Sequence, residues 1–169
     1  MRLSQLAVIL AVCGAFLAPP ATALAYEDAM TLELSGGYAL AVGDGVPRDG
    51  LSGSVLVSYG INDVFTLRAS ITDTFHPRST NLLLAGVDLL YVVDVLRTVP
   101  YVGLGVDGGV LQANGNTDGI VGGHLALGVD YLIDRGVFVG LEVRPTWLLR
   151  EANLLDVPIT VKIGFPFPL

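Results

Sequence analysis

Asp73, His76 and Ser79 stand within one short stretch, and an acid, an imidazole and a hydroxyl are the groups from which an activated nucleophile for acyl transfer is built. Such a set works only when the base comes within hydrogen-bond reach of the nucleophile, and Pro77 and Arg78 separate them here. A lipid hydrolase built on a His-x-Ser pair within a strand needs a serine two residues after its histidine. His124 is followed by Leu125 and Ala126. Gly103, Gly105 and Gly108 have the spacing of a dinucleotide loop, but they sit in an alternating apolar run that opens no helix. Asn114, Asn116 and Asp118 begin like a calcium loop, yet position twelve is Leu125 where a bidentate Glu is required, and the Asn/Gly content predicts a hairpin turn. No catalytic residue, cofactor or metal ligand is expected, and the chain is expected not to be an enzyme.

The remaining ionisable residues follow a different rule. Glu33, Arg68, Asp88, Asp107, His124, Asp130, Glu142, Arg144 and Lys162 occur singly inside apolar segments, each on the same parity as Gly, Ser, Thr and Ala. Eight such segments are expected as strands: 31–42, 51–59, 64–72, 82–93, 101–111, 120–131, 137–147 and 155–165. In the first, Leu32, Leu34, Tyr38, Leu40 and Val42 share one face, while Thr31, Glu33, Ser35, Gly37, Ala39 and Ala41 share the other. Apolar alternation over that length matches a tilted strand crossing a bilayer.

Charges on the inner face of a closed sheet need partners, because desolvation without pairing is costly. Residue counting along the strands places Arg68 level with Asp88 and Lys162 near Glu33. His124 and Arg144 fall at similar depth, with Asp107 and Glu142 close by. The expected result is a network that fills the lumen, together with Leu56, Leu111, Phe138 and Leu148, since eight strands enclose a space that side chains can fill. A soluble barrel with the apolar parity inside would need a charged, lysine-bearing exterior, whereas the polar parity here is mostly small.

The connections alternate between brief turns, at 60–63, 94–100 and 133–136, and polar segments expected as loops, at 43–50, 73–81, 112–119 and 148–154. This interleaving is that of an up-and-down meander. Tyr59, Phe65, Tyr91, Tyr131 and Phe165 cluster at the short-turn end with outward parity, as a girdle at one membrane interface would, and Trp147 is placed at the other. Pro145 and Pro158 each remove a ladder donor, so bulges or a frayed rim are expected there. Phe165 is expected to end the last strand, with Pro166-Phe167-Pro168-Leu169 as a tail.

Met1-Arg2, the apolar run Leu6 to Leu17, Pro19-Pro20 and the small residues before Tyr26 form an expected signal peptide at 1–25, leaving one domain at 26–169. Cys13 lies in the signal core, where Val12 is too large for a lipoprotein site, so the mature chain is expected without cysteine. Hydrophobic residues make up 52% and mean hydropathy is +0.65, yet no spanning helix follows the leader. A chain this apolar must spread over strands. The net charge of −7 argues against nucleic acid as a partner.

Val99-Pro100-Tyr101-Val102-Gly103-Leu104-Gly105-Val106, Tyr59-Gly60-Ile61-Asn62-Asp63 and Leu127-Gly128-Val129-Asp130-Tyr131 resemble the small outer-membrane β-barrels of the OmpA, OmpX and OmpW type. The resemblance implies an all-β fold, an eight-stranded antiparallel up-and-down transmembrane β-barrel, in the outer membrane of a Gram-negative cell. Its expected partners are membrane lipids of the lipopolysaccharide-bearing leaflet and an extracellular ligand reached through the loops, with a monomer as the expected state. The task it implies is structural or interaction-based. A conduit or binder for small apolar molecules and a lipid-modifying enzyme are the alternatives.

Overall fold

The computed structural model describes residues 29–43, 46–77, 80–93, 97–113, 115–134, 136–149 and 154–168. The expected leader at 1–25 and Ser79 lie outside them. Wherever β-branched and aromatic residues alternate with small or polar ones the chain is extended, because such side chains fit a pleated, half-buried surface. The strands are β1 (Ala29–Val42), β2 (Asp49–Gly60), β3 (Phe65–His76), β4 (Thr80–Val92), β5 (Thr98–Ala113), β6 (Asn116–Asp134), β7 (Val137–Val143), β8 (Thr146–Leu149) and β9 (Leu154–Pro168).

From β1 to β7 each strand pairs antiparallel with the next, β8 pairs with β6 and β9, and β1 closes on β9. β7 and β8 are two halves of one crossing, since both pair with β6 and both with β9. The ring therefore has eight crossings. Traced through direct partners, Thr31 leads to Ser58, Arg68, Asp88, Gly105, His124, Thr146 and Asp156, and the path returns to β1 at Ala41. That stagger, from position 31 to position 41, is the shear that tilts the strands against the barrel axis.

The faces separate as the alternation requires. Leu34, Val57, Val106 and Val161 are 46%, 39%, 67% and 60% exposed on the outer wall, while Leu56, Leu111, Phe138 and Leu148 are buried inside. Two apolar clusters occupy the lumen. Leu90, Val92, Val99, Tyr101 and Ala126 lie toward the end that holds both chain termini, the terminal end. Ala41, Leu82, Leu84, Leu111, Ile120, Leu148 and Leu154 fill the opposite, distal mouth, with Val46 against them.

Three details differ from expectation. Strands extend into the four polar segments expected as loops, reaching Asp49, His76, Thr80, Ala113, Asn116, Leu149 and Leu154. Thr74, Phe75 and His76 prolong β3 and Asn116 to Gly119 prolong β6, because a partner strand offers them backbone hydrogen bonds that a free loop does not. β5 and β6 thus stay paired as far as Ala113 and Asn116, and Gly115 beside them takes φ 80°.

The prolines produce no bulge. Pro145 divides β7 from β8 without shifting the register on either side, and Pro158 stays inside β9. Leu125 N–H still donates to the Pro145 carbonyl at 3.1 Å and Arg144 N–H to that of Pro158 at 3.0 Å. Pro158 has no N–H for the Arg144 carbonyl, and the Thr146 hydroxyl donates there instead at 3.2 Å. The register shift falls elsewhere, between Leu132 and Asp134. Finally, β9 does not stop at Phe165: Phe167 pairs with Met30 and Pro168 with Ala29, so the expected tail is part of the closing strand.

Candidate functional site

The inward parity of seven strands delivers charged side chains to one buried layer between the two apolar clusters. β9 contributes Lys162, whose Nζ lies 2.7 Å from Glu33 of β1 and 3.1 Å from Asp130 of β6. Ser58 donates to the other Glu33 oxygen at 2.6 Å. The ammonium also lies over the rings of Tyr101, at 4.5 Å, and Phe138, at 5.3 Å, which face a cation with their negative side.

Arg68 of β3 is fully buried and joins opposite walls. Its Nε and Nη2 donate to Asp88 at 2.9 and 2.6 Å, and its Nη1 donates to Glu142 at 2.5 Å. The Tyr101 hydroxyl donates to the same Glu142 oxygen at 2.6 Å. In the third group Arg144 donates to Ser70 at 3.0 Å and to Asp107 at 3.1 Å. The second Asp107 oxygen accepts a hydrogen bond from His124 Nδ1 at 2.6 Å, and His124 Nε2 faces Asp88 at 3.6 Å. The three groups are thus linked through Asp88 and Tyr101.

Room for these heads comes from glycine. A Cβ at Gly105 would collide with the His124 ring, one at Gly86 with the Asp107 carboxylate, and one at Gly140 with that of Asp130. On β5, Gly103 and Gly105 therefore serve packing. A residual void of about 20 Å³ remains between Glu33, Ser58, Thr66, Asp130 and Lys162, room for one water.

All nine charges singled out from the sequence lie in this layer, but not all in the groups expected. Arg68 meets Asp88, and Lys162 meets Glu33. Glu142 goes to Arg68 and Tyr101 instead of the His124–Arg144 group. Tyr101 and Asp156 were not anticipated as lumen groups, although both carry inward parity. Asp73 and His76 do not form a site: Asp73 has the outward parity of β3, and His76 points inward and is buried. An acid and a base on opposite faces of one strand cannot share a proton. Among the described residues no group of three or more His, Cys, Asp or Glu side chains is placed to hold a metal ion.

On the outer wall, Tyr59, Phe65 and Tyr131 are exposed near the terminal end, with Tyr91 and Phe165 half-buried beside them. Phe65 and Tyr91 pack edge to face at 5.7 Å. Trp147, outward on β8, lies toward the distal end.

A closed barrel with a mainly apolar outer wall and an ionic interior is inside out relative to a soluble one. The sequence model of the outer membrane protein beta-barrel domain matches residues 8–165. The chain belongs to that family. Its strands cross the outer membrane of a Gram-negative cell. Among solved structures, Neisserial surface protein A is similar with a TM-score of 0.71 and 18% identity, over 83% of this chain and 100% of that one. The N-terminal β-barrel domain of Pseudomonas aeruginosa OprF matches with a TM-score of 0.58 and 17% identity, over 83% and 98%. Ail of Yersinia pestis matches with a TM-score of 0.56 and 13% identity, over 83% and 99%. No curated protein matches the sequence. At these identities the structures speak for the fold alone, an eight-stranded outer-membrane β-barrel.

Proposed function

We propose that this outer-membrane barrel is a non-conducting, non-enzymatic structural and interaction protein, with its termini in the periplasm and its distal rim at the cell surface. One observation carries the reading: the charged layer is sealed at the distal mouth by seven buried apolar side chains contributed by β1, β4, β5, β6, β8 and β9. Each buried leucine there contributes on the order of 2 kcal/mol against a wet lumen, and a continuous water path would have to displace them. The exposed rim, and the projecting hairpin of β5 and β6, are then the surfaces available to partners. These strands run 16 and 19 residues, well beyond the roughly 9–11 needed to cross the hydrocarbon. An acidic chain of net charge −7 favours a neutral or cationic ligand over a polyanion.

Within this reading Tyr59, Phe65, Tyr91, Tyr131 and Phe165 anchor the periplasmic interface and Trp147 the outer one. Residues 1–25 are the cleaved leader, so amino-terminal sequencing of the membrane-extracted protein should begin at Tyr26. A conduit for small apolar molecules would call for an open seam or a ligand-sized apolar cavity at the mouth. The backbone bonds that flank Pro145, and the packed cluster beside it, favour the closed reading.

Planar-bilayer recording tests it. The refolded barrel should add no unitary current above the bare membrane. Discrete, reproducible openings would overturn the proposal in favour of the conduit.

A further inference from the structure

Beside the apolar cluster of the distal mouth, β3 and β9 touch across two intervening strands. His76 Nε2 lies 4.0 Å from Asp156 Oδ1, and both side chains are almost completely buried, at 0% and 1% exposure. Neither atom has a hydrogen-bond partner. The other ring nitrogen, Nδ1, lies 3.1 Å from the Asp49 carbonyl, which can only accept, so Nδ1 carries a proton. In a neutral imidazole with that tautomer Nε2 is an acceptor, and it would face a carboxylate that is also an acceptor. Two buried acceptors turned toward each other repel unless a proton lies between them.

We propose that His76 and Asp156 form an acid-closed latch on the distal mouth. A second proton on the imidazole, taken from solvent, makes Nε2 a donor to Asp156 and ties the end of β3 to the start of β9. Loss of that proton leaves the two acceptors opposed and releases the strand ends. Acidification supplies that proton, so the latch closes as pH falls.

The surroundings leave the decision to this pair. Among the described residues, β2 faces His76 with the Asp49 main-chain carbonyl, since the Asp49 carboxylate is bonded to the Tyr38 hydroxyl. Gly50 lies under the ring, and any Cβ there would press on it. β4 places Thr80 opposite His76, while β1 and β8 place Ala41 and Thr146 opposite Asp156. Arg48, exposed at the rim beside Asp49, accepts the Ala41 N–H with its carbonyl, and Arg144 in the lumen is held by Ser70 and Asp107. Asp73, on His76's own strand, has the opposite parity. The latch bears on the mouth directly, because Leu154 of the apolar cluster begins β9 two residues before Asp156.

Amide hydrogen exchange of the full mature chain in detergent micelles tests this, read at Asp156 and Val157 and corrected for intrinsic rates at pH 5.5 and pH 8. In the wild type, protection should fall roughly tenfold at the higher pH, the worth of one charge-assisted hydrogen bond. In Asp156→Asn the side-chain amide can donate to neutral Nε2, so protection should be the same at both values. In His76→Gln, protection should be low and independent of pH, with heat-modifiability on gels showing that the barrel still forms. Wild-type protection independent of pH would overturn the latch, as would a wild-type pH profile in Asp156→Asn. Recovery of protection at pH 8 on adding Zn²⁺ alone would also overturn it, by making the pair a metal site.

Discussion

Arg68 of β3 holds Asp88 on the adjacent strand at 2.6 Å and Glu142 on the far wall at 2.5 Å with one guanidinium. A planar fork with five donors is suited to two carboxylates at once, which a lysine ammonium would meet only as a point charge. Arg68→Met should therefore strand both acids in a buried layer and cost about 3–5 kcal/mol, read as a lowered urea midpoint for the refolded barrel. Glu142→Gln should cost less, because the amide oxygen still accepts from Tyr101 and Arg68. Equal losses in the two variants would show that the pairing does not set the cost.

The outer wall makes the opposite demand. Val106 is 67% exposed toward lipid, and Val106→Arg should lower folding stability in liposomes by roughly 2–4 kcal/mol. Ser54→Thr in the lumen, where Ser54 already shares a hydrogen bond with Thr72 at 2.9 Å, should be nearly silent in the same assay.

Two glycines three residues apart on β5 should behave differently. Gly105→Ala drives a methyl into His124 and Asp88, whereas nothing lies within 4 Å of a Cβ at Gly108. Thermal unfolding should show a loss of about 1–3 kcal/mol for Gly105→Ala, typical of an overpacked interior. Gly108→Ala should be unchanged or slightly stabilised.

Pro145→Ala restores an N–H opposite the Leu125 carbonyl at the junction of β7 and β8. A net gain of about 1 kcal/mol is expected from the added bond, partly offset by a freer unfolded chain. Hydrogen exchange should reveal a new protected amide at position 145, and its absence would show that the seam is held apart by something other than the missing donor.

The adjacent-strand pairs, Arg68 with Asp88 and Lys162 with Glu33, were legible from residue counting, because neighbouring strands differ little in level. The partner of Glu142 was not. Contacts across the lumen depend on the shear and on how far a long arginine reaches, and neither is written in any one segment. Tyr101 was missed because only charged side chains were followed into the lumen, while its parity with Asp107 already placed it inside. His76 was read as loop because Asp73, Thr74 and Asn81 are polar. Polarity does not end a strand whose backbone still has a partner. Pro145 was rightly a point of tension, but a missing donor breaks the ladder without forcing an extra residue into it.

Lys162 is the only lysine in the sequence, and its ammonium is enclosed by Glu33, Asp130, Tyr101 and Phe138. A lysine-specific protease consequently has no purchase on the intact barrel and a single cleavage point in the unfolded chain. Amine-reactive dyes likewise are left with the α-amino group alone. The folded fraction of any variant can then be counted from one cut, with no engineered reporter.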